Sequence, residues 1–130
     1  MAETEVVPSP DCGNSPKNLF VQDLAIAFAK RDIGSLLDGV SEEVYWRMVG
    51  EKEVRGKDEL ADLVASRKAD EVAKLTVHHV VTHGKAGSVN GTRVFKDGRM
   101  DEFCDVYEFT SARGNRVQAI TSYVIEGHNK

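Results

Sequence analysis

Apolar side chains recur along this chain with two periods, helical in most of the first half and alternating beyond about residue 74. Ser15-Pro16 places a capping hydroxyl before a proline, and Phe20, Leu24, Ala27 and Phe28 then share one helical face. The spacing predicts a helix over about residues 16 to 30. Asp32 can cap a second, short helix that buries Ile33, Leu36 and Leu37 and stops near Gly39. Residues 42 to 49, "EEVYWRMV", are rich in β-branched and aromatic side chains and read as a first strand. After Gly50 and Gly56, "KDELADLVASRK" sets Leu60, Leu63, Val64 and Arg67 at helical spacing, with Asp58 and Glu59 near the positive end of the dipole.

Past that third helix the period becomes two. Segments at roughly 74–83, 86–95, 100–111 and 116–126 alternate, and "HGKA", Asp97-Gly98 and "ARGN" between them suit hairpin turns. These form a four-stranded antiparallel meander. The expected fold class is α+β, a cone-shaped curved antiparallel sheet wrapped around three N-terminal helices and open at one end.

The 130 residues are the size of one ordinary domain. All three prolines lie in the first sixteen residues, so residues 1–14 read as a flexible tail and 15–130 as the domain. Removing the tail is then expected to leave thermal stability nearly unchanged. The 17 basic and 21 acidic residues give a net charge of −4 with no basic run, which argues against nucleic acid as a partner. The acidic N-terminus is no signal peptide, no apolar run is long enough to span a bilayer, and a cytoplasmic protein is expected. Cys12 and Cys104 have no partner at a redox or metal-ligand spacing, so no disulfide is expected.

In "FCDVYEF", alternation puts Phe103, Asp105, Tyr107 and Phe109 on one face. An ionised carboxylate among three aromatics loses hydration, so Asp105 is paired, turned to water, or held protonated with a raised pKa. On "LTVHHVVTH", His79 shares a face with Leu75, Val77 and Val81 and is the candidate general base. His83 has the same parity but stands roughly 13 Å away, too far to share an ion, and no metal site or cofactor is expected. Along the first strand Tyr45, Arg47 and Val49 share one face, with Trp46 and Met48 on the other.

The element order, with "FAKRDIGSLLDGVSEEVYWRMVG....RGKDEL" and "FCDVYEFTSARGNRVQAITSYV", resembles the nuclear transport factor 2-like superfamily, in its SnoaL-like and ketosteroid isomerase-like branch, over about residues 16 to 127. That resemblance implies the cystatin-like cone. It also implies a pocket residue at Asp105, because "DVYEF" matches the isomerase pattern of Asp, aromatic and Phe whose protonated aspartate donates to an oxyanion, a worked case in the physical chemistry of raised carboxyl pKa values. The isomerase general base would fall at Arg47, which cannot abstract a proton, and the helix-one tyrosine at Leu24. An epoxide hydrolase of the superfamily needs an Asp-Arg-Asp set; Arg99-Met100-Asp101 has the residue types but reads as a solvated strand start.

By the same resemblance the pocket takes Phe103 and Tyr107, Leu24 and Phe28 from helix one, and Asn90, Thr92, Val94, Ile120, Ser122 and Val124 from the meander. Arg47 in that cone would pair with Asp105 and offer spare donors to a carbonyl or carboxylate. Two functions follow: a SnoaL-like protein binding a small, largely apolar carbonyl- or carboxylate-bearing ligand, with isomerase, cyclase or hydratase chemistry, or a non-catalytic homodimeric domain. A homodimer through the sheet face carrying Glu102, Cys104, Val106 and Glu108 is expected in either case.

Overall fold

The computed structural model describes residues 4–67 and 71–127. The chain order is β1 (Glu5–Val7), α1 (Pro16–Lys30), α2 (Ile33–Asp38), β2 (Val40–Met48), β3 (Lys52–Arg55), α3 (Gly56–Ser66), β4 (Val72–His83), β5 (Ala86–Phe95), β6 (Met100–Phe109) and β7 (Val117–Glu126). Ser15 caps α1 by accepting from the Asn18 amide, and Asp32 caps α2 by accepting from the Ser35 amide. Both helices start where the capping residues predict.

The strands form one sheet in the order β1-β4-β5-β6-β7-β2-β3. The meander β4 to β7 is antiparallel, whereas β1 joins β4 and β2 joins β7 in parallel. The fold is α+β, a curved sheet with α1 packed on β4 and β5 and α3 packed on β2. Between these layers lie the fully buried Leu36, Leu60, Leu75, Tyr107, Phe109 and Ile120. The first strand begins two residues earlier than its composition suggests, and β3, only four residues long, is too short to announce itself by alternation.

Within residues 4–14 the flexible tail is corrected. Glu5–Val7 pair with Lys74–Thr76, Thr4 Oγ1 donates to the Val72 carbonyl at 2.7 Å, and the Ser9 amide donates to Gln22 Oε1 at 2.7 Å. The Asp11 carboxylate accepts from the Val80 amide at 3.2 Å, and Cys12 is buried in the core. The segment covers the open edge of β4, whose backbone groups would otherwise lack partners. A three-residue strand bounded by Pro8 leaves no periodic trace. Residues 1–3 of the expected tail lie outside the described residues.

Candidate functional site

A cavity of about 470 Å³ opens between the inner face of the sheet, the end of α1 and the C-terminal turn of α3. Its walls mix apolar and charged side chains, with Phe28, Trp46, Met48, Val64, Phe95 and Phe103 prominent among the apolar ones. Phe28 leans on Trp46 with ring centroids 5.0 Å apart, so helix and sheet are held apart by aromatic bulk. Arg31, Glu51, Arg67, Arg99 and Glu126 also line it. Arg31 sits at φ 54, the left-handed end of α1, and its guanidinium reaches Glu71 at 3.7 Å. Arg67 pairs with Glu51, and Arg99 with Asp97 at 2.7 Å.

Four polar side chains meet on the cavity wall. The hairpin at Asp97-Gly98 brings Arg93 of β5 opposite Asp101 of β6. Arg93 Nε and Nη2 each donate to one Asp101 carboxylate oxygen at 2.8 Å, a two-point grip that fixes the guanidinium plane. The same guanidinium lies 5.4 Å from the Phe103 ring centroid and 5.5 Å from that of Phe95. Two residues further along the inner face of β6 is Asp105, opposite Ser122 of β7, and both are buried. Trp46 Nε1 donates to Ser122 Oγ at 2.9 Å.

Burial lifts the Asp105 pKa to about 6; the Ser122 hydroxyl, the Arg93 guanidinium and Tyr107 pull it down, and Asp101 pushes it up. Such a carboxyl titrates near neutrality. Tyr107, further in, has its pKa pushed well up by burial and then by the Asp105 charge. Its hydroxyl is buried without a hydrogen bond of ordinary geometry, yet lies close enough to Asp105 for the carboxylate to hold the phenol protonated. Arg93 thus stands among two buried carboxylates, one firmly paired and one whose pKa burial raises.

The expected site is partly assembled. Asp105, Phe103, Phe28, Ser122 and Val124 all line the cavity. Tyr107, Leu24 and Ile120 face inward but pack in the core rather than against the opening. Arg47 is corrected: it is exposed on the outer face, and Trp46 and Met48 take the inner positions of β2. The apolar weight of that pair was the available signal, because the sheet buries its more hydrophobic face.

Asn90, Thr92 and Val94 are corrected too. The inner set of β5 is Gly87, Val89, Gly91, Arg93 and Phe95, while Asn90 and Thr92 point outward to His79 and His78. His79 leaves the interior because a register shift between Val77 and His79 reverses the alternation of β4. It is exposed and 3.2 Å from Asn90 Oδ1, with Val81 two residues on also exposed. Asp101 is no solvated strand start but a buried carboxylate. Arg93 was the residue missed, and counting outward from the Asp97-Gly98 turn would have placed it opposite Asp101. Among the described residues no group of three or more potential metal ligands comes together, and no helix is long and apolar enough to cross a membrane.

No protein-family model and no curated protein matches the chain. Solved structures do. A ketosteroid isomerase-like protein from Kribbella flavida DSM 17836 superimposes with a TM-score of 0.71 at 12% identity, over 88% of this chain and 81% of that one. An LEH-like epoxide hydrolase from M. tuberculosis gives 0.69 at 16% identity, over 84% and 82%. A nuclear transport factor 2-like protein of unknown function from Cytophaga hutchinsonii ATCC 33406 gives 0.65 at 20% identity, over 84% and 99%. The fold is therefore nuclear transport factor 2-like, and at these identities the likeness is one of fold.

Proposed function

We propose that the cavity binds a small, largely apolar molecule bearing a carbonyl or carboxylate, and that Asp105 exchanges a proton with it. The observation that carries this reading is the buried Asp105 carboxyl, with a pKa of about 6, on the wall of an open cavity beside the Arg93 guanidinium. At pH 7 such a group is about nine-tenths ionised, yet it is far more basic than an ordinary aspartate. Arg93 spends Nε and one Nη2 hydrogen on Asp101, which leaves Nη1 for a ligand oxygen.

In an isomerisation, Asp105 takes a proton from carbon beside the carbonyl. The electron pair of the broken C–H bond moves onto the oxygen, Arg93 stabilises the charge, and Asp105 returns the proton to another carbon. The ketosteroid isomerase-like neighbour supports the chemistry without supplying the residues, since position 47 is an arginine. The Asp101, Arg93 and Asp105 arrangement favours a second class, opening of a small epoxide by water. One carboxyl removes a proton from water as its oxygen attacks carbon, the other protonates the ring oxygen, and a diol results. The epoxide hydrolase neighbour supports that alternative.

The deciding experiment is a carboxyl-carbon NMR titration, with Asp105→Asn to assign the signal, repeated with small cyclic ketones, carboxylates and epoxides present. A midpoint about 6 that moves when one of them binds is expected. A midpoint at the ordinary aspartate value with no ligand response would overturn the reading. A second copy of the chain docking on the outer sheet face is also proposed, supported by the exposed Val81, Val106, Tyr123 and Ile125. Monomeric sedimentation at micromolar concentration would remove it.

A further inference from the structure

Trp46 and Ser122 border the proposed acid site and are joined to each other across two strands. Both are buried, and the indole donates to Ser122 Oγ at 2.9 Å. An indole nitrogen can only donate, so the direction of this bond is fixed and the serine oxygen is the acceptor. The single hydroxyl hydrogen of Ser122 is then left to find an acceptor elsewhere. Asp105 is its directly opposed partner across β6 and β7, and both side chains face the interior.

We infer that Trp46 aims the Ser122 hydroxyl at the Asp105 carboxylate, making Ser122 a positioning residue that holds Asp105 as an ionised acceptor and leaves its second oxygen for the ligand. This rests on the reading of Asp105 as the proton-transfer group. A hydroxyl donates more strongly to a carboxylate than to the carbonyl of a neutral acid, so the relay favours the base form. The Ser122 hydroxyl is the largest of the influences that lower the Asp105 pKa against burial. It therefore sets how far above an ordinary aspartate the acid comes to rest.

The other charged or titratable groups around Asp105 are Arg93 from β5 and Asp101 and Tyr107 from β6. Arg31, Glu51, Arg67, Arg99 and Glu126 line the same cavity. No histidine lines it among the described residues; His78, His79 and His83 are exposed. A transition near pH 6 seen by a probe inside the cavity is thus assignable to Asp105, with Asp105→Asn as the control.

Trp46 is the only tryptophan of the chain and is that probe. Its emission is expected to change with a midpoint about 6 in the wild type, and the change to vanish in Asp105→Asn. Carboxyl-carbon NMR of Ser122→Ala should show the Asp105 midpoint moved up by about one unit, a tenfold change in proton affinity. Ser122→Thr keeps the hydroxyl and should restore the wild-type midpoint, and Trp46→Phe should give an upward shift smaller than that of Ser122→Ala.

Ser122→Ala with lowered melting temperature and an unmoved midpoint would make the serine merely structural and overturn the relay. So would Trp46→Phe with an unmoved midpoint, a measurement that stands even if Ser122→Ala does not fold. The relay is read from differences between variants, and the function from the absolute midpoint and its response to ligand. Either can therefore fail alone.

Discussion

The inner face of β6 has two ends built by the same alternation and put to opposite uses. Toward its start, Asp101, Phe103 and Asp105 line an open cavity; toward its end, Tyr107 and Phe109 are sealed at zero exposure. The difference lies in what faces them. Gly87 stands opposite Tyr107, and a Cβ there would come within 3.0 Å of the Phe109 ring and 3.2 Å of Val21, so α1 lies directly on the sheet at that end. At the other end Phe28 rests on Trp46 and props the helix away. A small residue lets helix and sheet meet at one end and two large rings hold them apart at the other, against the close packing that is the rule elsewhere in an interior.

The comparison can be broken most forcefully at the closed end. Phe109→Ala should cost about 3–5 kcal/mol in denaturant unfolding while leaving the Asp105 midpoint in place. A moved midpoint would show that the two ends are mechanically coupled. Next, the N-terminal segment braces the closed end through Ser9, Asp11 and Cys12. Deleting residues 1–14 should cost about 2–4 kcal/mol and lower Tm by on the order of 10 °C, again without moving that midpoint. An unchanged Tm would return the segment to the status of a free tail.

At the open end the changes are chemical. Arg93→Ala leaves Asp101 buried without its partner and should cost about 2–3 kcal/mol at pH 7, a figure reduced from that of a fully buried pair because the arginine is 28% exposed. The Asp105 midpoint should rise in the same variant, since the guanidinium now lowers it. Asp105→Asn should act in the opposite sense. The native pKa of about 6 exceeds the ordinary 3.8, so the folded state binds the proton more tightly and stability falls as pH rises from about 4 to about 6. Removing the carboxylate should therefore stabilise the protein by about 2–3 kcal/mol at pH 7, and the advantage should vanish near pH 4. Equal gains at both pH values would mean that Asp105 is not the group being relieved.

Much of the scaffold was legible because it is written in local chemistry. Ser15-Pro16 and Asp32 opened α1 and α2 as expected, and the turns at Asp97-Gly98 and near "HGKA" delimited β5. Alternation put Asp105 on one face with three aromatics, and the resemblance carried by "DVYEF" pointed that face into the cone, where the structure buries it. Period two, however, says only that a strand has two faces. The family resemblance chose between the faces and put Arg47, Asn90 and Thr92 in the interior, where the heavier apolar sets, Trp46 with Met48 and Val89 with Phe95, take that place. Nor does it see an irregularity: the register shift before His79 turned the candidate base out to solvent.

The sequence by itself determined which segments are helix and meander, where they turn, and that a carboxyl would sit among aromatic rings. These follow from caps, turn residues and alternation, which act over a few residues. Tertiary structure alone decided that Arg93 rather than Arg47 would stand beside that carboxyl, that Asp101 would hold it there, and that Trp46 would reach Ser122 from a different strand. Those contacts depend on strand order, bulges and the distance between helix and sheet, which are settled when distant segments pack together.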